Sequence, residues 1–388
     1  MRAYPGLLKE VKMRRQSLLF GIALLAIAFS LSCASSMAEI QTVAPVGVAA
    51  ANYTITGPYS HKNLTIFLLH GEDQKVGKPP LTLQEAMGEK KVIVHETGDV
   101  NNLSIENVSN EEVYVQSGDI VKGGRQDRVL AMDLIVPPKS GKMPIASFCV
   151  EHGRWSGRGQ ETVAMFGSSE KSLNSKDLKI AAKHKASQQE VWDKVAQSQA
   201  KLGTGVVAAG APAAADAVIV SGEGSGNGSG TARRSSISVA SAQSASSLQL
   251  TLENKHVKET SDEYVKKLSP ILEGKQDVIG YAFVINGQIN SADVYASNAL
   301  FKKLWPKLLE SNAIEAIGEL EKDKQYDPVG AEAVKAFLSD AESGKSDEKQ
   351  ITTRVSSIKR ETRKNLFFET RDRKQNGAWV HRNYITKE

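Results

Sequence analysis

Short alternations of apolar and polar residues, separated by glycine, asparagine and proline, fill the chain from residue 51 to residue 165. Stretches such as 63–69 (NLTIFLL) carry the β-branched and aromatic residues that strands favour. Thr82 and Glu85 form a capping-box pattern, which predicts one short helix among the strands. Several short strands with turn residues between them are typical of a sandwich or an open barrel. The predicted strands cover residues 53–55, 63–69, 91–96, 102–108, 112–116, 127–136 and 144–151, and the last two are expected to pair.

Helical spacing and two hairpin signals replace this pattern in the second part of the chain. Asn286-Gly287 and Asn376-Gly377 each predict a β-hairpin, because Asn-Gly supplies the two positive-φ residues of a type I′ turn. The whole pattern predicts an α+β fold, in which a mainly antiparallel β sandwich or open barrel packs against helices and hairpins of the second half. The predicted helices cover residues 187–201, 252–268, 298–316 and 330–340.

The composition changes to alanine, glycine and serine in the middle of the chain, including the run GEGSGNGSG at 222–230. Such a segment lacks the apolar residues that a core requires, so residues 202–249 are predicted to be a flexible linker. The first half then covers residues 51–201 and the second half residues 250–388. Neither half has the pattern of a complete unit, and we expect the two halves to pack together.

The first 38 residues are predicted to be a signal peptide. Lys12, Arg14 and Arg15 precede an apolar run at 17–29, and residues 36–38 (SMA) place small side chains before a cleavage site. Cleavage there predicts an exported protein, located in the periplasm or outside the cell.

Two alternatives remain for this amino-terminal segment. In the first, it is retained as a transmembrane anchor, although the apolar run is shorter than the roughly 20 residues that span a bilayer. In the second, it is lipidated at Cys33, which lies among small residues. Cleavage after residue 38 makes Glu39 the first residue of the mature chain. Contact with a membrane is expected only through a retained segment or a lipidated Cys33.

The formal net charge of +5 for the 388-residue chain overstates how basic the exported protein is. Residues 1–38 hold five basic residues and one acidic residue, so little net charge remains after cleavage. Specific binding to nucleic acid is therefore not indicated. Without Cys33, the single cysteine Cys149 excludes an intramolecular disulfide. The histidines lack metal-binding spacing, so no metal site is predicted, and the sequence leaves any cofactor unknown.

Residues 113–155 concentrate polar side chains of functional type among strand and turn signals. A glycine pair allows backbone N–H groups to converge on an anion, and arginines supply bidentate donors for phosphate or carboxylate. The alternative is an ordinary turn whose arginines pair with neighbouring carboxylates. The predicted ligand-binding residues are Gly123, Gly124, Arg125, Arg128, Arg154 and Trp155.

Three residues of the same block are candidates for catalysis: Asp119, Glu151 and Cys149. Cys149 and Glu151 lie on the same face of a strand because they are two residues apart. A neighbouring carboxylate disfavours a thiolate, so the expectation for Cys149 is a buried and unreactive thiol. Asp119 or Glu151 is the expected general base if a reaction takes place there.

Several strings in the chain resemble the ARG and Rhodanese-Phosphatase-superfamily-associated Protein domain, where ARG stands for ADP-ribosylglycohydrolase. They are RQDRVL at 125–130, CVEHGRW at 149–155, VIGYAFVINGQINSADV at 278–294 and LWPKLL at 304–309. The resemblance covers nearly all of residues 51–388 apart from the predicted linker. It implies a link to ADP-ribose or nucleotide chemistry.

The leading hypothesis is an exported binding or accessory domain that recognises an anionic small molecule or a protein partner through Arg125, Arg128 and Arg154. The first alternative is an enzyme that acts on an ADP-ribose-like or phosphorylated substrate. It requires Asp119, Glu151 and at least two arginines around one concave pocket. The second alternative is a structural envelope protein, which predicts that Cys149 and Glu151 are buried in the interior with every partner satisfied.

Overall fold

The computed structural model describes residues 53–74, 77–211, 219–220 and 234–388. The predicted signal peptide lies outside these residues. The strands are β1 Thr54–His61, β2 Leu64–His70, β3 Leu81–Thr82, β4 Val92–His95, β5 Asn102–Asn107, β6 Val113–Val115, β7 Asp119–Gly123, β8 Arg128–Leu130, β9 Leu134–Val136, β10 Gly141–Cys149, β11 Phe166–Ser172, β12 Ile219–Val220, β13 Arg234–Ser235, β14 Val278–Ile285, β15 Gln288–Tyr295, β16 Lys345–Gln350, β17 Val355–Glu361, β18 Asn365–Asp372 and β19 Ala378–Thr386. The helices are α1 Leu83–Gly88, α2 Lys176–Lys179, α3 Gln188–Ala208, α4 Leu248–Leu252, α5 Lys255–Leu268, α6 Asn298–Gly318 and α7 Ala331–Ser343, with a π-helix at Ile180–Lys185 and 3-10 helices at Ser269–Leu272 and Arg373–Gln375.

Both halves of the chain contribute strands to one antiparallel sheet of eight strands, in the order β1-β2-β14-β15-β19-β18-β17-β16. The two halves meet where β2 pairs with β14, with Leu64 opposite Ile285 and Phe67 opposite Ala282. The hairpin predicted at Asn286-Gly287 is present, since these two residues have φ values of 53° and 73° in the tight turn between β14 and β15. The predicted α+β fold with mainly antiparallel sheets is confirmed.

The large sheet is covered on both faces, because successive side chains of a strand point to opposite sides. Leu64, Ile66 and Leu68 of β2 are buried in the same core as residues of α5 and α6. Phe67 and Leu69 are buried on the other face, together with residues of α7. This two-sided burial explains why β2 and β14 appear in the sequence as nearly continuous apolar runs.

Two smaller sheets form the rest of the first half. Six strands in the order β11-β7-β8-β10-β5-β4 make an antiparallel sheet, and β3, β6 and β9 make a separate one. The capping-box prediction is confirmed at α1, where the Thr82 side chain accepts a hydrogen bond from the backbone of Glu85 and the Glu85 side chain accepts one from the backbone of Thr82.

The single strand predicted at 127–136 is wrong, whereas its predicted pairing with 144–151 is confirmed for its first part. The structure divides it into β8 and β9, which belong to different sheets: β8 pairs with β10, whereas β9 pairs with β6. The division coincides with Asp133, whose buried carboxylate accepts a hydrogen bond of 2.7 Å from the backbone N–H of Ser117. The chain therefore leaves the six-stranded sheet close to Asp133, because the buried charge of this residue requires hydrogen-bond donors such as the N–H of Ser117.

The boundaries predicted for the linker are wrong at both ends. Helix α3 continues to Ala208, and Leu202 and Val206 within it are buried. At the other end, Ile237 and Val239 are buried in the same core, and Ser247 is the N-cap of α4. Residues 212–218 and 221–233 lie outside the described residues, so for them the linker stays a prediction.

Helices α3 and α6 pack closely, with a glycine where they meet. A Cβ atom added to Gly205 would lie 1.8 Å from the backbone oxygen of Ile317.

Pro306 lies inside α6, which is one helix from Asn298 to Gly318. Across the ranges that the structure describes, no helix combines the length and the apolar character needed to cross a membrane.

Candidate functional site

The predicted arginine loop is held together by a buried ion pair between Arg154 and Glu151. The Nε and Nη2 atoms of Arg154 each donate a hydrogen bond of 2.7 Å to one oxygen of the Glu151 carboxylate. Its other donors contact the carbonyl oxygens of Gly123, Gly124 and Ser156. The strand end therefore folds back onto the glycine loop, and Arg154 binds acceptors of the protein itself.

The anion that the glycine loop receives is Asp127, which is completely buried. The backbone N–H of Gly123 donates to the Oδ1 atom of Asp127 over 2.9 Å. Arg158 donates to both carboxylate oxygens, at 2.8 Å and 3.1 Å, and the Ser247 hydroxyl donates to Oδ2 at 2.7 Å. An internal carboxylate thus occupies the position that the glycine pattern predicts for a ligand.

The Glu151 carboxylate remains ionised in this network. Burial by itself raises the pKa of Glu151, but the hydrogen bonds from Arg154, Ser244 and the backbone of Asp127 outweigh it and hold the pKa below its ordinary value. An ionised and fully paired carboxylate is a poor general base, because a proton can reach it only when an ion pair is broken.

Cys149 is completely buried, as expected. Burial raises the pKa of its thiol to about 11, even though the guanidinium of Arg128 contacts its Sγ atom. The side chain of Gln188, at the start of α3, accepts a hydrogen bond from the backbone N–H of Cys149 and donates one to its carbonyl oxygen. Both hydrogen bonds are 2.8 Å long. These contacts attach the strand end to the helix, and they describe a packing role for this residue.

The outward side of the loop has a different character. The ring of Trp155, which is 42% exposed, lies beside two guanidinium groups: the Cζ atoms of Arg125 and Arg128 are 5.3 Å and 5.5 Å from its centroid. Arg128 is completely buried, and its Nη2 atom lies 3.6 Å from the Oε2 atom of Glu96. Arg125 is half-buried, and its guanidinium has no carboxylate oxygen within 4.0 Å among the described residues. We call Arg125 and Trp155, which lie beside the buried Arg128, the Arg–Trp surface.

Exposed apolar side chains concentrate near the Arg–Trp surface. Val163 and Met165 are 42% and 43% exposed, and with Trp155 they make three of the four large exposed hydrophobic residues in the described ranges. The segment that carries them is attached at Glu96, whose backbone N–H donates to the carbonyl of Ala164 over 2.9 Å. Clustered exposed apolar residues are characteristic of binding surfaces.

Asp119 does not join the arginine loop. It begins β7 and Gly123 ends this strand, so about 13 Å of extended chain separates them. Its carboxylate contacts Lys307 of α6 and accepts a hydrogen bond of 3.0 Å from the backbone of Gln116. The structure does not bring Asp119 and Glu151 around one pocket, as the enzyme hypothesis requires.

Asp119 lies instead near a second polar cluster, which is centred on His381 of β19. The Nδ1 atom of His381 is 2.7 Å from Asp133 and its Nε2 atom is 3.0 Å from Asp293. Ionised carboxylates only accept hydrogen bonds, so both ring nitrogens must donate and the imidazole is protonated. Burial opposes this charge, but the two carboxylates outweigh it and raise the pKa of His381. The ring also stacks on Tyr295, with centroids 4.5 Å apart.

A cavity of about 30 Å³ adjoins this cluster, and we call it the central cavity. Its walls come from the start of β7, the end of β11, the end of α2, the π-helix, β15, α6 and β19. Lys183 is carried by the π-helix, an element that occurs frequently at functional sites. The lining residues are Gln116, Ser117, Gly118, Asp119, Ser172, Leu173, Lys179, Ala182, Lys183, Asp293, Leu308, Ser311, Asn312, His381 and Asn383.

Four residues of these clusters were not predicted from the sequence: Arg158 and the central cavity residues Lys183, Asp293 and His381. These residues are far apart in the sequence and follow no short motif. One signal was present: Asp293 is a charged residue inside β15, a strand of the hairpin predicted at Asn286-Gly287, and its side chain is buried. A buried carboxylate requires partners, which only the fold identifies.

The fold and these polar clusters define an α+β protein whose two halves share one large antiparallel sheet. The family model of the ARG and Rhodanese-Phosphatase-superfamily-associated Protein domain matches residues 52–385, and the chain belongs to this family. The predicted resemblance is thereby confirmed. No curated protein and no solved structure matches the chain.

Proposed function

We propose that the protein is an exported binding or accessory domain that recognises an anionic ligand at the Arg–Trp surface. The observation that carries this proposal is the guanidinium of Arg125, which lies beside the exposed ring of Trp155 and has no carboxylate partner among the described residues. A guanidinium supplies bidentate donors for phosphate or carboxylate, and an indole supplies a face for a planar group.

The remaining residues of the predicted site support this surface from below. Arg154 and Glu151 fix the glycine loop, and the backbone N–H of Arg125 donates to Glu96 over 3.2 Å. The main chain around Arg125 is therefore positioned before a ligand arrives, which reduces the entropy lost on binding. A planar anionic ligand is the best fit to this combination, and the family name makes ADP-ribose and nucleotides the first compounds to test.

The test is a thermal-shift screen of residues 39–388 with ADP-ribose, NAD, nucleotides, phosphate and small carboxylates. A ligand that binds the folded state raises Tm, and the stabilisation grows with the logarithm of its concentration relative to Kd. We expect one planar anionic compound to raise Tm in the unchanged protein, and the shift to disappear in Arg125→Ala and in Trp155→Ala.

The matched control is Arg363→Ala, because Arg363 is an exposed arginine far from this surface in the sequence. It should retain the full shift. A shift that survives in both Arg125→Ala and Trp155→Ala overturns the proposed surface, whichever compound causes it. A screen without any shift favours a protein partner or a structural role instead.

Export is part of the same proposal, supported by the basic residues before the apolar run at 17–29 and by the small residues at 36–38. The test is mass spectrometry of the protein purified from cells that make the full chain. An amino terminus at Glu39 is expected. A chain that retains Met1 contradicts cleavage, and a lipid on Cys33 replaces this proposal with attachment to a membrane.

A further inference from the structure

We propose that the central cavity is a second binding site, distinct from the Arg–Trp surface, and that it takes the carboxylate of a small organic acid. The site is built by seven elements from both halves of the chain, so the folded protein alone assembles it. About 13 Å of β7 lies between Asp119 at the cavity and the glycine loop.

Two lysines at the cavity form no close ion pair within the described residues, although Asp133 and Asp293 are near enough to Lys183 to act on its charge. Among the described residues, neither Lys179 nor Lys183 has a carboxylate oxygen within 4.0 Å. The hydrogen bond that Lys183 makes is to the amide oxygen of Asn383, at 3.4 Å, and its ammonium lies 4.6 Å from the ring centroid of Phe368. Partly buried ammonium groups are costly without an anion, and a ligand that supplies one is bound strongly.

The carboxylates at the cavity are already engaged elsewhere. Asp119 contacts Lys307, and Asp293 receives hydrogen bonds from His381, from Asn383 at 2.8 Å and from Tyr281 at 3.2 Å. They are therefore not available to the two lysines as close partners. The ammonium groups of Lys179 and Lys183 therefore remain as hydrogen-bond donors at the cavity, which is the pattern expected of a site for an anion.

The size of the cavity favours a carboxylate. A volume of 30 Å³ exceeds the roughly 10–15 Å³ that one water molecule needs, so two waters or one planar carboxylate group fit. A tetrahedral phosphate is bulkier and carries more charge. Burial also lowers the pKa of Lys183, so its ammonium is the donor that gains most from a bound anion.

A further polar atom at the cavity has no partner. Gln116 is 6% exposed and lines the cavity, and its Oε1 atom has no hydrogen-bond partner within the described part of the chain. An amide oxygen accepts hydrogen bonds, so a ligand with a hydroxyl group beside its carboxylate satisfies this atom as well as the lysines. A small hydroxy acid is thus expected to bind more tightly than the acid without the hydroxyl.

The experiment compares acetate, glycolate and inorganic phosphate by thermal shift and by isothermal titration calorimetry on the purified protein, against sodium chloride at equal ionic strength. We expect acetate and glycolate to raise Tm beyond the chloride control, with glycolate the tighter ligand. In Lys183→Met, the affinity for glycolate should fall by about ten-fold or more, because a hydrogen bond to a charged group is lost.

The control on the same element is Lys185→Met, because Lys185 is the exposed lysine at the end of the π-helix. It should bind glycolate as the unchanged protein does. Arg125→Ala should also retain glycolate binding, which separates the failure of this site from the failure of the Arg–Trp surface. Far-UV circular dichroism and a cooperative melt establish that Lys183→Met is folded, and Lys179→Met is a second variant with the same expected loss.

Three results overturn the proposal. The first is equal glycolate affinity in Lys183→Met, Lys179→Met and the unchanged protein. The second is a Tm shift by phosphate alone that depends on the same lysines, because the site then takes a different anion. The third is the absence of any effect of acetate or glycolate beyond that of chloride.

Discussion

Arg154 and Glu151 form a two-point ion pair, with Nε to Oε1 and Nη2 to Oε2 both at 2.7 Å, and the Glu151 side chain is completely buried. The same guanidinium donates to the carbonyl oxygens of Gly123 and Gly124, so it connects the end of β10 to the end of β7. The pair gives the glycine loop its shape, and it makes Arg154 a structural residue beneath the Arg–Trp surface.

Arg154→Ala is expected to destabilise the protein, because it leaves the buried carboxylate of Glu151 without its partner. Breaking a buried pair in this way costs about 3–5 kcal/mol. The measurement is the free energy of unfolding from urea denaturation at neutral pH. Arg125→Ala is the matched control, because this arginine has no close carboxylate, and its effect should stay within about 1 kcal/mol. Similar losses in the two variants contradict a structural role for Arg154.

Deleting residues 203–247 is expected to lower Tm strongly. The deletion removes the buried side chains of Val206, Ile237 and Val239 and the N-cap Ser247. Loss of each buried aliphatic side chain costs about 2–5 kcal/mol when the core does not collapse around the gap. The matched deletion removes only residues 222–230, the GEGSGNGSG run, and on the linker prediction it leaves Tm nearly unchanged. A strong loss of Tm in the shorter deletion contradicts a linker there.

Gly205→Ala is expected to separate α3 from α6. Its Cβ atom would lie 1.8 Å from the backbone oxygen of Ile317, and a backbone atom cannot move away as a flexible side chain can. Overpacking of this kind costs about 1–3 kcal/mol or more, which calorimetric Tm values would detect. Gly88→Ala is the control, because a Cβ atom at Gly88 has no neighbour within 4 Å. A Tm unchanged in Gly205→Ala would rule out the close helix contact.

The stability of the protein is expected to fall as the pH rises above about 6.5, through the raised pKa of His381. Burial disfavours the imidazolium, but Asp133 and Asp293 outweigh burial. A group whose pKa is higher in the folded state contributes stability that is fully present below its unfolded pKa and is lost as pH rises through the folded value. Urea denaturation between about pH 6 and pH 9 measures this slope.

His381→Gln supplies the comparison for the pH experiment. Glutamine retains hydrogen-bonding capacity but does not titrate, so the part of the slope that belongs to His381 should disappear. His256→Gln is a matched control, because His256 lies in the first turn of α5 and makes no ion pair within the described residues. If the slope is the same in His381→Gln and in the unchanged protein, His381 is not the group that titrates.

The sequence alone determined the elements that depend on neighbouring residues. The capping box at Thr82 and Glu85 and the turn at Asn286 and Gly287 form as predicted, because their hydrogen bonds and backbone angles are local. The α+β class followed from the same information, since periodicity distinguishes strands from helices before any tertiary contact is known. The four strings that resemble the family, such as CVEHGRW at 149–155, could also be recognised without the structure.

Only the tertiary structure decided which polar residues meet. Asp133, Asp293 and His381 form one cluster because β15 and β19, neighbours in the large sheet, meet the segment between β8 and β9, and no spacing in the sequence encodes this distance. The glycine loop has the composition of an anion site, but the fold supplies Asp127 as its anion. A local pattern records which donors are present, whereas burial and long-range pairing decide whether an internal carboxylate or an external ligand receives them.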